Sequence, residues 1–187
     1  MKYLFFLFII FSTFSPNLYG QNEINNIKNG ALLVRLQTNE HLVDYYSNNQ
    51  MSEQATLEKQ QQKKVNKEII NTFTKEWSLC PVYFFYSNFS NEIQNNNFSN
   101  VFKDQQQKLS NQEKKKLKNN FLITYIGDTP GSLKFNALVL TNNNFQTLPR
   151  PFPRYVRTYK GLWLFKRKLN KSIQILEKKI NFQLSRI

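Results

Sequence analysis

The sequence predicts an α/β fold: a single domain with a mixed β-sheet of about four to five strands, on which a long helix and a C-terminal helix pack. Three observations predict it. Short apolar segments typical of strands alternate with amphipathic helical segments. A long helical segment separates the first two strands, which favours a parallel, right-handed crossover. The later strands follow one another closely, which favours antiparallel pairing.

The first two predicted strands are the apolar segments 31–38 and 81–87. The first reads ALLVRLQT and follows the polar lead-in 21–30. The second reads PVYFFYS and is nearly continuous in apolar and aromatic residues. That composition is typical of a strand that is covered on both faces.

Two helices are predicted between these strands. Thr38 or Asn39 can cap a short helix over HLVDYY, and Ser52 can cap a long helix that runs to about Trp77. The later half of the long helix carries an apolar stripe at four-residue spacing, which is typical of core packing. The stripe consists of Val65, Ile69, Phe73 and Trp77.

The stretch 88–119 has the weakest pattern in the chain. Its asparagine clusters favour loops, although several apolar residues in it must be buried somewhere. Ser110 and Glu113 form a capping-box pair, which predicts a short helix through Leu117. The lysines at 114–116 are assigned to the solvated face of that helix.

Strands resume at 121–127 and 134–140, and 145–148 is predicted to pair with the latter across TNNN. The WLF segment at 163–165 is predicted as a short strand or a lid. The chain closes with a helix that Asn170 can cap. Its apolar stripe consists of Ile173, Leu176, Ile180, Leu184 and Ile187.

The first twenty residues have the pattern of a secretory signal peptide. One lysine precedes a short apolar run, and a Ser-Pro pair and Gly20 follow it. The run is shorter than the ~20 apolar residues of a membrane span, so cleavage is favoured over an uncleaved anchor. The predicted organisation is a signal peptide over 1–20, a lead-in over 21–30 and a single domain over 31–187. We expect an exported protein of the periplasm or cell surface, with no transmembrane span after cleavage.

Residues able to perform catalysis are scarce. The chain has one histidine, His41, and one cysteine, Cys80. Neither lies in a metal-ligand spacing or a nucleophile motif, and no phosphate-cradling glycine loop is present. We therefore predict no catalytic residue, no metal site and no cofactor. Cys80 heads an apolar strand and is interpreted as a buried thiol, with a reactive thiol as the alternative.

The order of strands and helices is similar to that of a thioredoxin-like domain. The chain lacks the redox cysteine pair of that fold, since it has a single cysteine. A likeness of fold implies no activity.

Positive charge is concentrated in one part of the chain. The net charge of +14 comes mostly from lysine, which an AT-rich coding sequence also produces. Between Asp128 and Glu177, however, there is no acidic residue, and four of the six arginines fall in this interval. Nucleotide composition accounts for lysine better than for arginine. The basic residues of the interval are Lys134, Arg150, Arg154, Arg157, Lys160, Lys166, Arg167, Lys168 and Lys171.

The centre of this interval reads TLPRPFPRYVRTYKG. Prolines at every second position are expected to make 148–153 stiff and extended, and to exclude it from the centre of a sheet. If 154–160 is extended too, Arg157 lies on one face between Tyr155 and Tyr159. It would then be a structural arginine, stacked on the rings.

The competing interpretation of this segment is a binding site for an external anion or partner. Its candidate residues are Arg150, Arg154, Arg157 and Lys160. Arg154, Lys160 and Arg150 are the better-exposed candidates on the alternation argument.

The signal peptide, ALLVRLQT, CPVYFFYSNFS and PRPFPRYVRT together resemble a family of small exported proteins from Bacteroidetes-type bacteria. The function of that family is unassigned. The resemblance implies residence in the periplasm or at the cell surface, and it implies neither an activity nor a catalytic residue.

Two functions from different classes are compatible with these patterns. The first is an exported non-enzymatic domain that binds an envelope protein, an anionic polysaccharide or a lipid surface through the basic region 134–171. The alternative is a degenerate or unusual enzyme on a thioredoxin-like sheet. Nucleic acid is not expected as a partner, because the protein is predicted to leave the cytoplasm and has no recognised binding motif. The sequence does not indicate an oligomeric state.

Overall fold

The computed structural model describes most of the chain. The described ranges are 26–104, 107–118, 120–132, 134–158 and 167–186. The predicted signal peptide, Lys160 and the WLF segment lie outside them. Within these ranges, no helix combines the length and apolar character that a membrane crossing requires.

A five-stranded mixed sheet forms the centre of the domain. Its strands are β1 Ala31–Leu36, β2 Val82–Tyr86, β3 Phe121–Asp128, β4 Asn136–Thr141 and β5 Tyr155–Arg157. They lie in the order β2-β1-β3-β4-β5. β1 pairs in parallel with both β2 and β3, whereas β4 pairs antiparallel with β3 and β5. The predicted mixed sheet and its parallel first crossover are confirmed.

Five α-helices follow β1 in the described part of the chain. They are α1 Glu40–Asn48, α2 Ser52–Glu76, α3 Ser90–Gln94, α4 Asn111–Leu117 and α5 Leu169–Leu184. The predicted long helix and C-terminal helix are therefore confirmed. The capping box at the start of α4 is also confirmed, because Ser110 Oγ accepts from the backbone N–H of Glu113 while the Glu113 carboxylate accepts from the Ser110 N–H.

One face of the sheet is covered by α2 and α5. Alternate strand residues such as Leu32 and Leu138 share a buried cluster with Phe73 of α2 and Leu176 of α5. The apolar stripes of both helices thus face the sheet, as their periodicity predicts, except that Ile187 lies outside the described residues. Val65 is an exception: its side chain is 47% exposed, and the adjacent Asn66 is the buried residue of that turn.

The opposite face is covered by the stretch between β2 and β3, whose sequence pattern is weak. Phe98 from this stretch packs edge-on against Phe121, with 5.4 Å between ring centroids. Phe102 forms a backbone bridge with Phe84 and so covers the outer edge of β2. Buried apolar residues spaced irregularly along loops and short helices therefore cover this face, as a helical stripe covers the other.

Four local predictions are wrong. Ser52 is the first residue of α2 and does not cap it, because Met51 occupies the N-cap position. Asn39 precedes α1 in a left-handed conformation and does not cap it, because its side-chain amide donates to Glu58 and Gln62 of α2 instead. Segment 145–148 forms no strand; Phe145 has a φ of 58°, and only a single bridge joins Thr147 to Thr141. Helix α5 begins before Asn170, with Lys168 as its N-cap residue.

Candidate anion-binding groove

The proline-rich segment forms a turn, which corrects the prediction that 148–153 is extended. The backbone N–H of Phe152 donates to the carbonyl of Pro149 at 3.1 Å. Phe152 itself is only 3% exposed and belongs to the core cluster under α5. Proline restricts φ but leaves ψ free to adopt a turn. Three closely spaced prolines are therefore compatible with a bend, and this bend coincides with the burial of Phe152.

A groove of about 780 Å³ lies between this turn and the second half of α5. We call it the basic groove. The turn supplies Arg150 and Arg154, and the helix supplies Lys178 and Lys179. All four side chains are exposed, and none of the described residues that line the groove is acidic.

Arg154 is held in place by its own loop. Its Nε donates to the backbone carbonyl of Leu148 at 3.2 Å, while its backbone carbonyl accepts from the N–H of Leu140 in β4. This fixes the stem of the side chain and leaves the remaining guanidinium N–H groups available for an anion. An arginine that is oriented in advance loses less conformational entropy on binding.

The floor of the basic groove is apolar. Phe152 and Ile175 contribute to it, and Phe182 stands at one side with 54% of its surface exposed. The guanidinium of Arg186 lies over the Phe182 ring, 4.7 Å from its centroid, which adds a fifth cation near the groove. The arrangement combines positive charge at the rim with an apolar surface below.

Arg157, another predicted site residue, does not line this groove. Arg157 is exposed and stacks on Phe135 with 4.0 Å to the ring centroid. The predicted position between Tyr155 and Tyr159 stays a prediction, because Tyr159 lies outside the described residues. The stacking partner of Arg157 is a residue far earlier in the chain, which alternation within one strand cannot indicate. Lys160 lies outside the described residues.

Lys178 and Lys179 were missed by the sequence reasoning. They follow Glu177 and therefore lie just outside the acid-free interval from Asp128 to Glu177, in which the candidate residues were sought. A signal existed nevertheless: both lie in the predicted final helix, outside the Ile173–Leu176–Ile180 stripe that packs on the sheet.

Arg35, in the middle of the sheet, has a structural role. Its Nε donates to Ser90 Oγ at 2.9 Å, and its guanidinium lies 6.0 Å from the Phe145 ring centroid. Burial lowers its pKa, and the nearby Tyr125 acts in the opposite direction. The contacts tie α3 and the loop after β4 to β1.

The residues considered for an enzymatic site do not come together. His41 is exposed in the first turn of α1, which follows the carboxyl end of β1, whereas Cys80 precedes the amino end of β2. Because β1 and β2 are parallel, His41 lies near the carboxyl ends of these strands and Cys80 near their amino ends. In the described part of the chain, no group of three or more His, Cys, Asp or Glu side chains is placed to hold a metal ion.

We expect Cys80 to resist thiol labelling in the native protein. Burial raises its pKa to about 11, and the neighbouring Trp77 and Leu32 offset only part of that effect. At pH 8 about one thiol in a thousand would be ionised, against about a quarter for an ordinary cysteine. Labelling with iodoacetamide should therefore be at least about 100-fold slower in buffer than in denaturant. Equal rates in the two conditions would contradict the burial argument.

The basic groove is thus the part of the described structure best equipped to bind a ligand, and its chemistry is that of an anion receptor with an apolar floor. No family model, no curated protein and no solved structure matches this chain, so the likeness to a thioredoxin-like domain stays a prediction.

Proposed function

We propose that this protein is an exported, non-enzymatic domain that docks onto an anionic phospholipid surface through the basic groove. The observation that carries the proposal is the convergence of Arg150, Arg154, Lys178 and Lys179 around an exposed phenylalanine. Export rests on the signal-peptide pattern of residues 1–20.

The lining of the groove favours a lipid over an acidic polysaccharide. Sugar chains are recognised through many neutral hydrogen-bonding groups, and Tyr155 and Gln183 are the neutral polar side chains among the described lining residues. Cations beside an exposed aromatic ring match the interfacial region of an anionic membrane, where phosphate groups meet the first methylene groups. Phe182 would enter that region while the cations contact phosphates.

Binding to vesicles tests the proposal. A chain that begins at Gln21 retains both core clusters, and it should bind phosphatidylglycerol-containing vesicles but not phosphatidylcholine vesicles in a sedimentation assay. Each basic residue near such a surface contributes about 1 kcal/mol. The Arg154→Gln, Lys178→Gln double variant should therefore bind about thirtyfold more weakly. Raising the salt from about 0.1 M to about 1 M should abolish binding, since the Debye length falls from about 10 Å to about 3 Å.

The matched control removes the same two charges elsewhere. Arg157→Gln with Lys115→Gln alters one exposed arginine and one exposed lysine that do not line the groove. This variant should keep at least half of the wild-type binding. Equal losses in the two double variants would show that binding depends on total charge, and would refute the assignment of the basic groove as the binding site. Binding to polygalacturonate without binding to anionic vesicles would refute the proposal that the ligand is a phospholipid surface.

A further inference from the structure

A second groove, separate from the basic groove, lies at the carboxyl ends of the parallel strands. It has a volume of about 520 Å³ and shares no lining residue with the basic groove. Gln37 and Thr38, directly after β1, and Tyr86, at the end of β2, form one wall, and α2 forms the other. We call it the strand-end groove.

The topology singles out this position. The connection after β1 leads to α2, which packs on one face of the sheet, whereas the connection after β2 leads to α3 and α4 on the other face. Two neighbouring parallel strands whose connections diverge leave a crevice outside their carboxyl ends, and α/β proteins bind ligands in such crevices. The strand-end groove opens from that crevice toward α2.

Three lysines of α2 line the groove at four-residue spacing: Lys59, Lys63 and Lys67. Like charges four residues apart destabilise a helix. None of the three has a carboxylate three or four residues away along α2 to offset this repulsion. Lys64, by contrast, has Glu68 four residues later. A bound anion would relieve the repulsion that the helix itself leaves uncompensated.

The remaining lining residues offer hydrogen bonds and an aromatic surface. Four carboxamides line the groove. Those of Gln62 and Asn66 are bonded to one another, and Asn66, only 5% exposed, also donates to the Gln37 carbonyl at 2.8 Å. The side chains of Gln37 and Asn71 are open to a ligand. Tyr86 packs against Phe102 with a centroid distance of 5.4 Å, and its ring also lines the groove. Carboxamides pair with hydroxyl groups as both donors and acceptors, and an aromatic ring can cover the C–H face of a sugar.

We propose that the strand-end groove binds a small sugar that carries a negative charge, either a sugar phosphate or a uronic acid. The ammonium groups of Lys63 and Lys67 take the acid group. The carboxamides of Gln37 and Asn71 take the hydroxyl groups, and Tyr86 lies against the ring. This inference is independent of the proposed function, because it uses different residues and a different ligand.

Isothermal titration calorimetry on the chain beginning at Gln21 tests the assignment. Glucose 6-phosphate and glucuronate distinguish the two acid groups. Glucose, which has the ring and hydroxyl groups alone, and inorganic phosphate, which has the acid group alone, are the controls. At least one of the charged sugars should bind, and glucose and phosphate alone should each bind at least about tenfold more weakly. Failure of both charged sugars to bind would overturn the proposal, and so would equal affinity for phosphate alone.

Neighbouring lysines on α2 provide the matched variants. Lys63→Gln should weaken binding of the charged sugar about tenfold, because one charge-assisted hydrogen bond is lost. Lys64→Gln removes the same charge from the adjacent exposed position, which does not line the groove, and should leave the affinity unchanged. Equal weakening in both variants would overturn the assignment of the site.

Discussion

Replacing Phe73 with alanine is expected to lower the free energy of unfolding by about 4 kcal/mol. Phe73 is fully buried where α2 packs on the sheet, and its cluster includes side chains from β1, β3, β4 and α5. Truncation would lose the transfer free energy of the ring and leave a cavity that rigid elements on several sides cannot close. Since a domain of this kind is stable by about 5–15 kcal/mol, the loss would be a large fraction of its total stability.

Urea or guanidinium unfolding followed by tryptophan fluorescence measures this change, and the melting temperature should fall by about 10 °C. Phe182→Ala is the matched control, because it removes the same side chain from a site that is 54% exposed. That variant should lose less than about 1 kcal/mol. If the two variants lost similar stability, the assignment of α2 as the main cover of this face would be wrong.

Replacing Gly30 with alanine is expected to destabilise the fold by about 3 kcal/mol or more. A Cβ atom at this position would lie 2.0 Å from the carbonyl oxygen of Asn120 and 2.5 Å from that of Asn26. Both obstacles are backbone atoms, so no rotamer change can relieve the overlap. The Asn120 carbonyl also accepts from the N–H of Ala31 at 3.2 Å, and moving it would disturb the start of the β1–β3 pairing.

Gly127→Ala provides the contrast for this prediction. A Cβ atom there would meet only the Tyr125 ring, at 3.3 Å, and a side chain can shift where a backbone cannot. Its unfolding free energy should change by less than about 1 kcal/mol, because the lower entropy of the unfolded chain offsets the tighter contact. Thermal and chemical unfolding measure the stability of both variants. Equal stabilities would contradict the close approach of backbone atoms at Gly30.

The Gly30 contact illustrates where sequence reasoning about the fold reaches its limit. Residues 21–30 read as a polar lead-in, yet Ile27 is only 2% exposed and belongs to the core, and Gly30 lies against the backbone before β3. One apolar residue and one glycine in a polar stretch produce no periodicity. Their importance comes from contact with Asn120, which is distant in sequence.

The two faces of the sheet differ in the same way. Stripes in α2 and α5 are local patterns, so their helices and buried sides could be predicted before any contact was known. The cover over the other face is built from single residues such as Phe98 and Leu109, separated by polar loops. Such residues are visibly apolar in the sequence, but their partners on the sheet are set only when the chain folds.

Some features of the basic groove could be predicted from the sequence, whereas others depend on the fold. Arg150 and Arg154 could be selected from the sequence because charge sign and proline content are local properties. The bend at Phe152 and the meeting of these arginines with Lys178 and Lys179 could not, because they depend on how the segment around Phe152 packs under α5.

By itself the sequence determined the α/β class, the two main helices, the strands of the sheet centre and the acid-free basic interval, since each depends on residues close together along the chain. Only the tertiary structure decided that two arginines and two lysines share a groove while Arg157 stacks on Phe135. The physical reason is that a binding surface is a set of distances between separate segments, and packing of the core sets those distances.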